Sequence, residues 1–182
     1  MRMTINIKNI RKYAGKYDEQ YRGKDDEKTE KEMKTLLRKQ RFLTRENLIK
    51  IGNWKSRRPR RHYESEENDD LTVKEITKFS FKTKSEKARI KSLLALKGVD
   101  WPVASTILHF PFPEKYPIMD FRVIRSLYGK EPSTYTYNFG FWNDYCNRLR
   151  NIAKKYNLCI RMVEKALWKY DELKFGKKKT CK

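Results

Sequence analysis

Leu96-Lys97-Gly98-Val99-Asp100-Trp101-Pro102-Val103-Ala104-Ser105, followed by Pro117-Ile118-Met119-Asp120-Phe121-Arg122-Val123, is the stretch that decides the fold. Its first half predicts a helix ending at Gly98, a tight turn, and a second helix starting near Pro102. Glycine just past a helix and proline at the first position of the next are ordinary stop and start chemistry. The hairpin so formed covers about residues 86–110. It turns backbone N–H groups outward, where they can hold an anion without a charged side chain. Asp120 then stands ahead of a new apolar helix, where aspartate is a favoured cap.

Outward from this stretch, helical periodicity dominates and no segment alternates as a strand does. Upstream, Ile5 to Tyr21 reads as a helix or loose arm and Lys24 to Lys28 as a solvated charge run. A helix is expected over 29–40, with Met33, Leu36 and Leu37 on one face. Thr44 caps the next, stapled by Leu43 and Leu48 and ending near Ile51-Gly52. The basic run Lys55 to His62 and the acidic run Glu64 to Asp70 read as an exposed loop that buries nothing. Thr72-Val73-Lys74-Glu75 reads as a capping box, and Ser85 as the cap of the first hairpin helix. Downstream, helices are expected over about 121–128, 139–156 and 158–170. The fold class is therefore all-α, a compact helical bundle around the hairpin. It divides into an N-terminal arm or helix (1–28), a helical domain (29–175) and a basic disordered tail (176–182).

The chain has 182 residues, 38% hydrophobic and 37% charged, with a net charge of +21. That length supports one modest core. The charge far exceeds what solubility requires and attracts a polyanion. No apolar run approaches membrane-spanning length, so double-stranded DNA is the expected partner and a membrane is not. With no export signal at the N-terminus, the expected location is cytoplasmic (nucleoid-associated) or nuclear, and the protein is not expected to be secreted. Cys146, Cys159 and Cys181 are too few for a four-thiolate cluster, and His62 and His109 are too isolated for a metal site. No metal is expected, and a monomer is.

The hairpin with its downstream aspartate resembles the helix-hairpin-helix DNA glycosylase superfamily, which includes endonuclease III and the adenine-mismatch and alkyl-base glycosylases. Leu96, Gly98, Val99 and Ala104 fit the family's Leu-x-Gly-Val-Gly-x-x-x-Ala pattern, and Asp100 departs from its second glycine. Asp120 stands where the family's catalytic aspartate would. The match covers roughly a sixth of the chain. The resemblance implies a glycosylase-like helical fold and removal of a damaged, mispaired or modified base. It also implies no cofactor beyond a monovalent cation that the hairpin could hold. In strand-cutting members a lysine lies eighteen positions before the aspartate. Here that position is Pro102, which has no amine to offer, so water is the expected nucleophile and the enzyme is expected to be monofunctional.

Candidate residues follow. Asp120 is the catalytic candidate, a carboxylate to stabilise positive charge on the sugar as the glycosidic bond breaks, a role compatible with its also capping the helix. Gly98, Val99, Asp100, Trp101, Pro102 and Val103 would meet the DNA backbone, with Lys55, Arg57, Arg58 and Arg122 as phosphate contacts. Asp100 is expected at positive backbone angles. Trp54, Tyr135, Tyr137 and Trp142 are candidates for a base pocket; Trp54 reads more simply as a core residue, and Trp168 is assigned to the core. Lys55 and Lys97 are the amines that folding could bring beside Asp120. A DNA-binding module without catalysis is the alternative, and an RNA-binding accessory protein a third.

Overall fold

A computed structural model describes residues 2–176, which carry ten α-helices and no strand. In chain order these are α1 (Ile7–Tyr21), α2 (Asp25–Gln40), α3 (Arg45–Lys55), α4 (Arg60–Tyr63), α5 (Asp70–Lys82), α6 (Glu86–Leu93), α7 (Trp101–His109), α8 (Phe121–Tyr128), α9 (Phe139–Lys155) and α10 (Ile160–Phe175). The expected tail beyond Gly176 lies outside the described residues.

Helix starts mostly follow side-chain chemistry. Asn6, Thr44, Asp69, Ser85, Asp100, Asp120 and Asn138 each accept a backbone N–H from the first turn of the helix that follows, satisfying donors that a helix start leaves open. At Thr44 the capping is reciprocal through Asn47. The charged run Lys24 to Lys28 is exposed as expected, apart from the half-buried Glu27, and it opens α2, where Asp25, Asp26 and Glu27 complement the positive end of the helix dipole. The division expected at residue 28 therefore falls inside a helix. The Thr72/Glu75 box is also displaced, because Asp69 takes both the Thr72 N–H at 2.9 Å and its hydroxyl at 2.6 Å.

α10 is the spine of one half of the molecule, packed by α1, α8 and α9. The chain start is tied down with it: Met3 N–H donates to the Ser126 carbonyl at 3.1 Å, and Tyr156 Oη donates to the Ile5 carbonyl at 3.0 Å. The other half is built from α2 to α7, with α3 lying on α7 and α5 on α6. One apolar core runs through both halves, from Leu37, Leu48 and Ile51 to Trp142, Tyr145 and Leu167, all fully buried.

The segment expected to bury nothing contributes two core residues. Tyr63, on α4, is fully buried, and its ring lies between two glycines. A Cβ on Gly52 would come within 2.6 Å of that ring, and one on Gly98 within 3.0 Å. Gly52 is thus not a helix stop. It sits inside α3 so that the ring can lie flat against the backbone. Asn68, also fully buried, accepts from Lys97 N–H at 2.9 Å and donates to the Lys97 carbonyl at 3.1 Å. Tyr63 and Asn68 together clamp the α6–α7 turn to α3.

Candidate active site

α6 ends at Leu93, earlier than expected. The chain then makes two tighter turns, with Ala95 N–H bonded to the Ser92 carbonyl and Leu96 N–H to the Leu93 carbonyl, before Gly98 turns at φ +81°. Asp100 is not at positive angles. It is extended (φ −96°), and its Oδ1 accepts Val103 N–H at 3.0 Å. The aspartate thus caps α7 itself, using a donor that an incoming phosphate was expected to use. Val99 and Val103 point their side chains into the core, and Val99 N–H is bonded to the Leu96 carbonyl. Asp100 is exposed, while Gly98, Trp101 and Pro102 are half-buried at the surface of the turn.

Asp120 caps α8, with Oδ1 accepting Arg122 N–H at 2.9 Å. Its other oxygen, Oδ2, accepts from Lys55 Nζ at 2.6 Å. The two side chains are 18% and 11% exposed, so the pair is sheltered yet reachable. Burial works to raise the Asp120 carboxyl, but the Lys55 charge and hydrogen bond, with Arg122, outweigh it. The group stays below the usual carboxylate range. Lys55 thus meets a carboxylate where a phosphate contact was expected. It arrives there because α3 is held to the hairpin by the Tyr63 ring. Lys97 is turned away, paired with Glu67 at 2.9 Å.

Two cavities meet at this pair. The first, about 590 Å³, is bounded by the α6–α7 turn and the basic loop: Asp100, Pro102 and Val103 on one side, Arg58 and His62 on the other, with Tyr137 between. The second, about 290 Å³, lies behind Asp120 and is walled by Tyr17, Tyr21, Trp54, Phe121 and Trp168. Lys55, Asp120 and Phe121 line both. In the aromatic cavity the Tyr17 and Trp168 rings meet edge to face at 5.4 Å. Trp54 is fixed by its indole N–H, which donates to the Asp26 carbonyl at 2.8 Å. Arg161 lies over both Tyr17 and Trp54 and pairs with Glu30 at 2.8 Å.

The other expected site residues divide. Arg57 and Arg58 are exposed on the loop after α3, open to an anion. Arg122 is not, because its guanidinium is buried against Asp171 at 3.0 Å and the Gly176 carbonyl. Trp142 is fully buried, stacked on Tyr116, and belongs to the core instead of a pocket. Tyr135 packs against Tyr128 and Phe141, away from Asp120, whereas Tyr137 reaches the hairpin cleft. His109 is fully buried; burial holds its imidazole at about 3, neutral, with Nδ1 bonded to the Tyr116 carbonyl at 2.8 Å. Cys146 is buried and Cys159 exposed, both as free thiols. Among the described residues no group of three His, Cys, Asp or Glu side chains could hold a metal ion, and no helix is long and apolar enough to cross a membrane.

Sequence reasoning missed Tyr17, Tyr21 and Glu164 and assigned Trp168 to the core. Tyr17 and Tyr21 are one helical turn apart, which marks a shared face but not what that face meets. No family model matches the chain, and no curated protein or solved structure is similar to it.

Proposed function

We propose that the chain is a monofunctional DNA glycosylase, hydrolysing the N-glycosidic bond of a base extruded from double-stranded DNA. The observation that carries this reading is the position of Asp120 at the junction of a cleft beside the hairpin turn and an aromatic pocket. An extruded nucleotide needs that order of parts: backbone at the hairpin, sugar at the carboxylate, base among rings that stack on it. A convex basic surface at Asp120 would have favoured binding alone.

In this scheme the glycosidic bond breaks with positive charge growing on the sugar, and the ionised Asp120 stabilises it or aligns the attacking water. Lys55 keeps the carboxylate charged and fixes its rotamer, while Asp120's capping bond to Arg122 holds the second oxygen. Arg58, which lines the cleft, and the exposed Arg57 next to it in the chain meet phosphates. A glycosylase-like bundle with a functional helix-hairpin-helix motif is part of the same proposal. The non-catalytic DNA-binding alternative draws on the fact that Asp120 already serves as a cap.

Binding to duplex DNA is expected to weaken steeply with salt, because each lysine or arginine that neutralises a phosphate releases a counterion. Titration of a duplex at several salt concentrations yields the slope, and a flat response would remove nucleic acid as the partner. Borohydride is expected to trap no protein–DNA adduct. Pro102 has no amine, and Lys55, the amine beside Asp120, is held in an ion pair with that carboxylate at 2.6 Å. An adduct that vanished in Lys55→Ala would reassign Lys55 as a nucleophile and the enzyme as bifunctional.

A further inference from the structure

Besides Asp120 and the exposed Asp26, the aromatic pocket is lined by a buried carboxylate that the scheme above leaves idle. Glu164, on the face of α10 toward Asp120, is 1% exposed. Its Oε1 accepts Ile118 N–H at 2.5 Å, and its Oε2 has no hydrogen-bond partner although it is buried. A buried polar atom left open costs stability unless something occupies it. Arg161, the cation on the same helix that acts most strongly on Glu164, is already engaged by Glu30. Glu164 forms part of the wall of the pocket that Asp120 opens into.

We propose that Glu164 is a further catalytic residue, the proton donor to the departing base, and that the pocket takes neutral bases, which need a proton to leave. The inference rests on reading the cavity as a base pocket. As the C1′–N bond breaks, its electron pair moves onto the base. The Glu164 proton passes from Oε2 to an acceptor atom on that base, a ring nitrogen or carbonyl oxygen. The base departs neutral, water adds to the sugar cation and gives up a proton, and Glu164 is reprotonated from solvent. The sum is hydrolysis, with no other reactant.

Electrostatics divide the two carboxyls between the two roles. Burial raises Glu164 to about 7, against the pull of Arg161 and the Ile118 N–H, and Glu30 adds to the rise while Lys34 opposes it. Tyr145 and Cys146 of α9 and Tyr17 of α1 also face this cluster, all held neutral by burial. Asp120, across the pocket, is driven the other way. Two carboxyls pushed apart by their surroundings give one acid and one base near neutral pH. A base that already carries a positive charge, such as N7-methylguanine, leaves as a neutral molecule and requires no such donor.

The test compares full-length wild type, Glu164→Gln and Asp120→Asn on duplexes carrying mispaired adenine, hypoxanthine or N7-methylguanine, in single turnover from about pH 5 to about pH 9. Glu164→Gln is expected to slow release of the neutral bases by about 10²–10⁴-fold and to leave N7-methylguanine within about threefold. Wild type should lose activity on the neutral bases above about pH 7, an alkaline limb absent with N7-methylguanine. If Glu164→Gln released the neutral bases at the wild-type rate while Asp120→Asn was inactive, the Glu164 role would be overturned and the glycosylase reading kept. If no duplex lost a base, or Asp120→Asn matched wild type, the glycosylase reading itself would fall, and this role with it. Should Glu164→Gln not fold, the alkaline limb of wild type decides alone.

Discussion

Asp120→Asn is expected to lower base release by about 10³-fold or more while leaving duplex affinity almost unchanged. The exchange keeps the shape of the side chain and its cap on α8. It removes the negative charge that would face the sugar cation. It also removes the ion pair with Lys55, freeing that ammonium for a phosphate, so affinity has no reason to fall. The acidic limb of the wild-type profile follows from the same geometry. Asp120 is held below the ordinary carboxylate range, so its charge is present above that range and lost only as pH falls through the depressed value. Single-turnover kinetics with binding measured alongside separates the two effects. Full turnover by the variant would leave Asp120 a cap and favour a protein that only binds.

Asp171→Leu is expected to destabilise the fold by about 3–5 kcal/mol, seen as a lower midpoint in chemical denaturation. Asp171 is fully buried and holds two guanidinium groups: Arg125 through Nε at 2.7 Å and Arg122 at 3.0 Å. Removing the carboxylate leaves both cations sheltered, with only the half-exposed Glu131 near Arg125. The ties between α8 and α10 loosen, and with them the position of Asp120 at the start of α8. A midpoint within about 0.5 kcal/mol of wild type would mean that packing alone holds these helices.

These two residues mark what could and could not be read from the chain. Local chemistry carried far: the caps at Thr44, Ser85 and Asp120, the turn at Gly98, and the apolar faces of α2 and α8 all lie in windows of a few residues. Asp100 shows the limit of a local pattern. An aspartate in a glycine position reads as a turn residue at positive angles, yet its side chain captures the Val103 N–H and needs no positive φ. Gly52 read as a helix end because the ring it accommodates belongs to a different element. Long-range placement was out of reach. Arg122 and Asp171 are 49 residues apart, and nothing in either neighbourhood announces the pair. The pocket is the clearest case, since Tyr17 and Trp168 become neighbours only when α1 docks on α10. Lys55 was legible as an amine and a cation, but its partner depended on the Tyr63 ring holding α3 against the hairpin.

The most direct measurement is incubation of the full-length protein with a panel of duplexes, each carrying one altered or mispaired base, followed by alkali. A monofunctional glycosylase leaves an abasic site, so strands should break at the altered base only after alkali and remain intact without it. Intact strands across a broad panel, from a protein that still binds the same duplexes, would contradict base excision and leave a DNA-binding module.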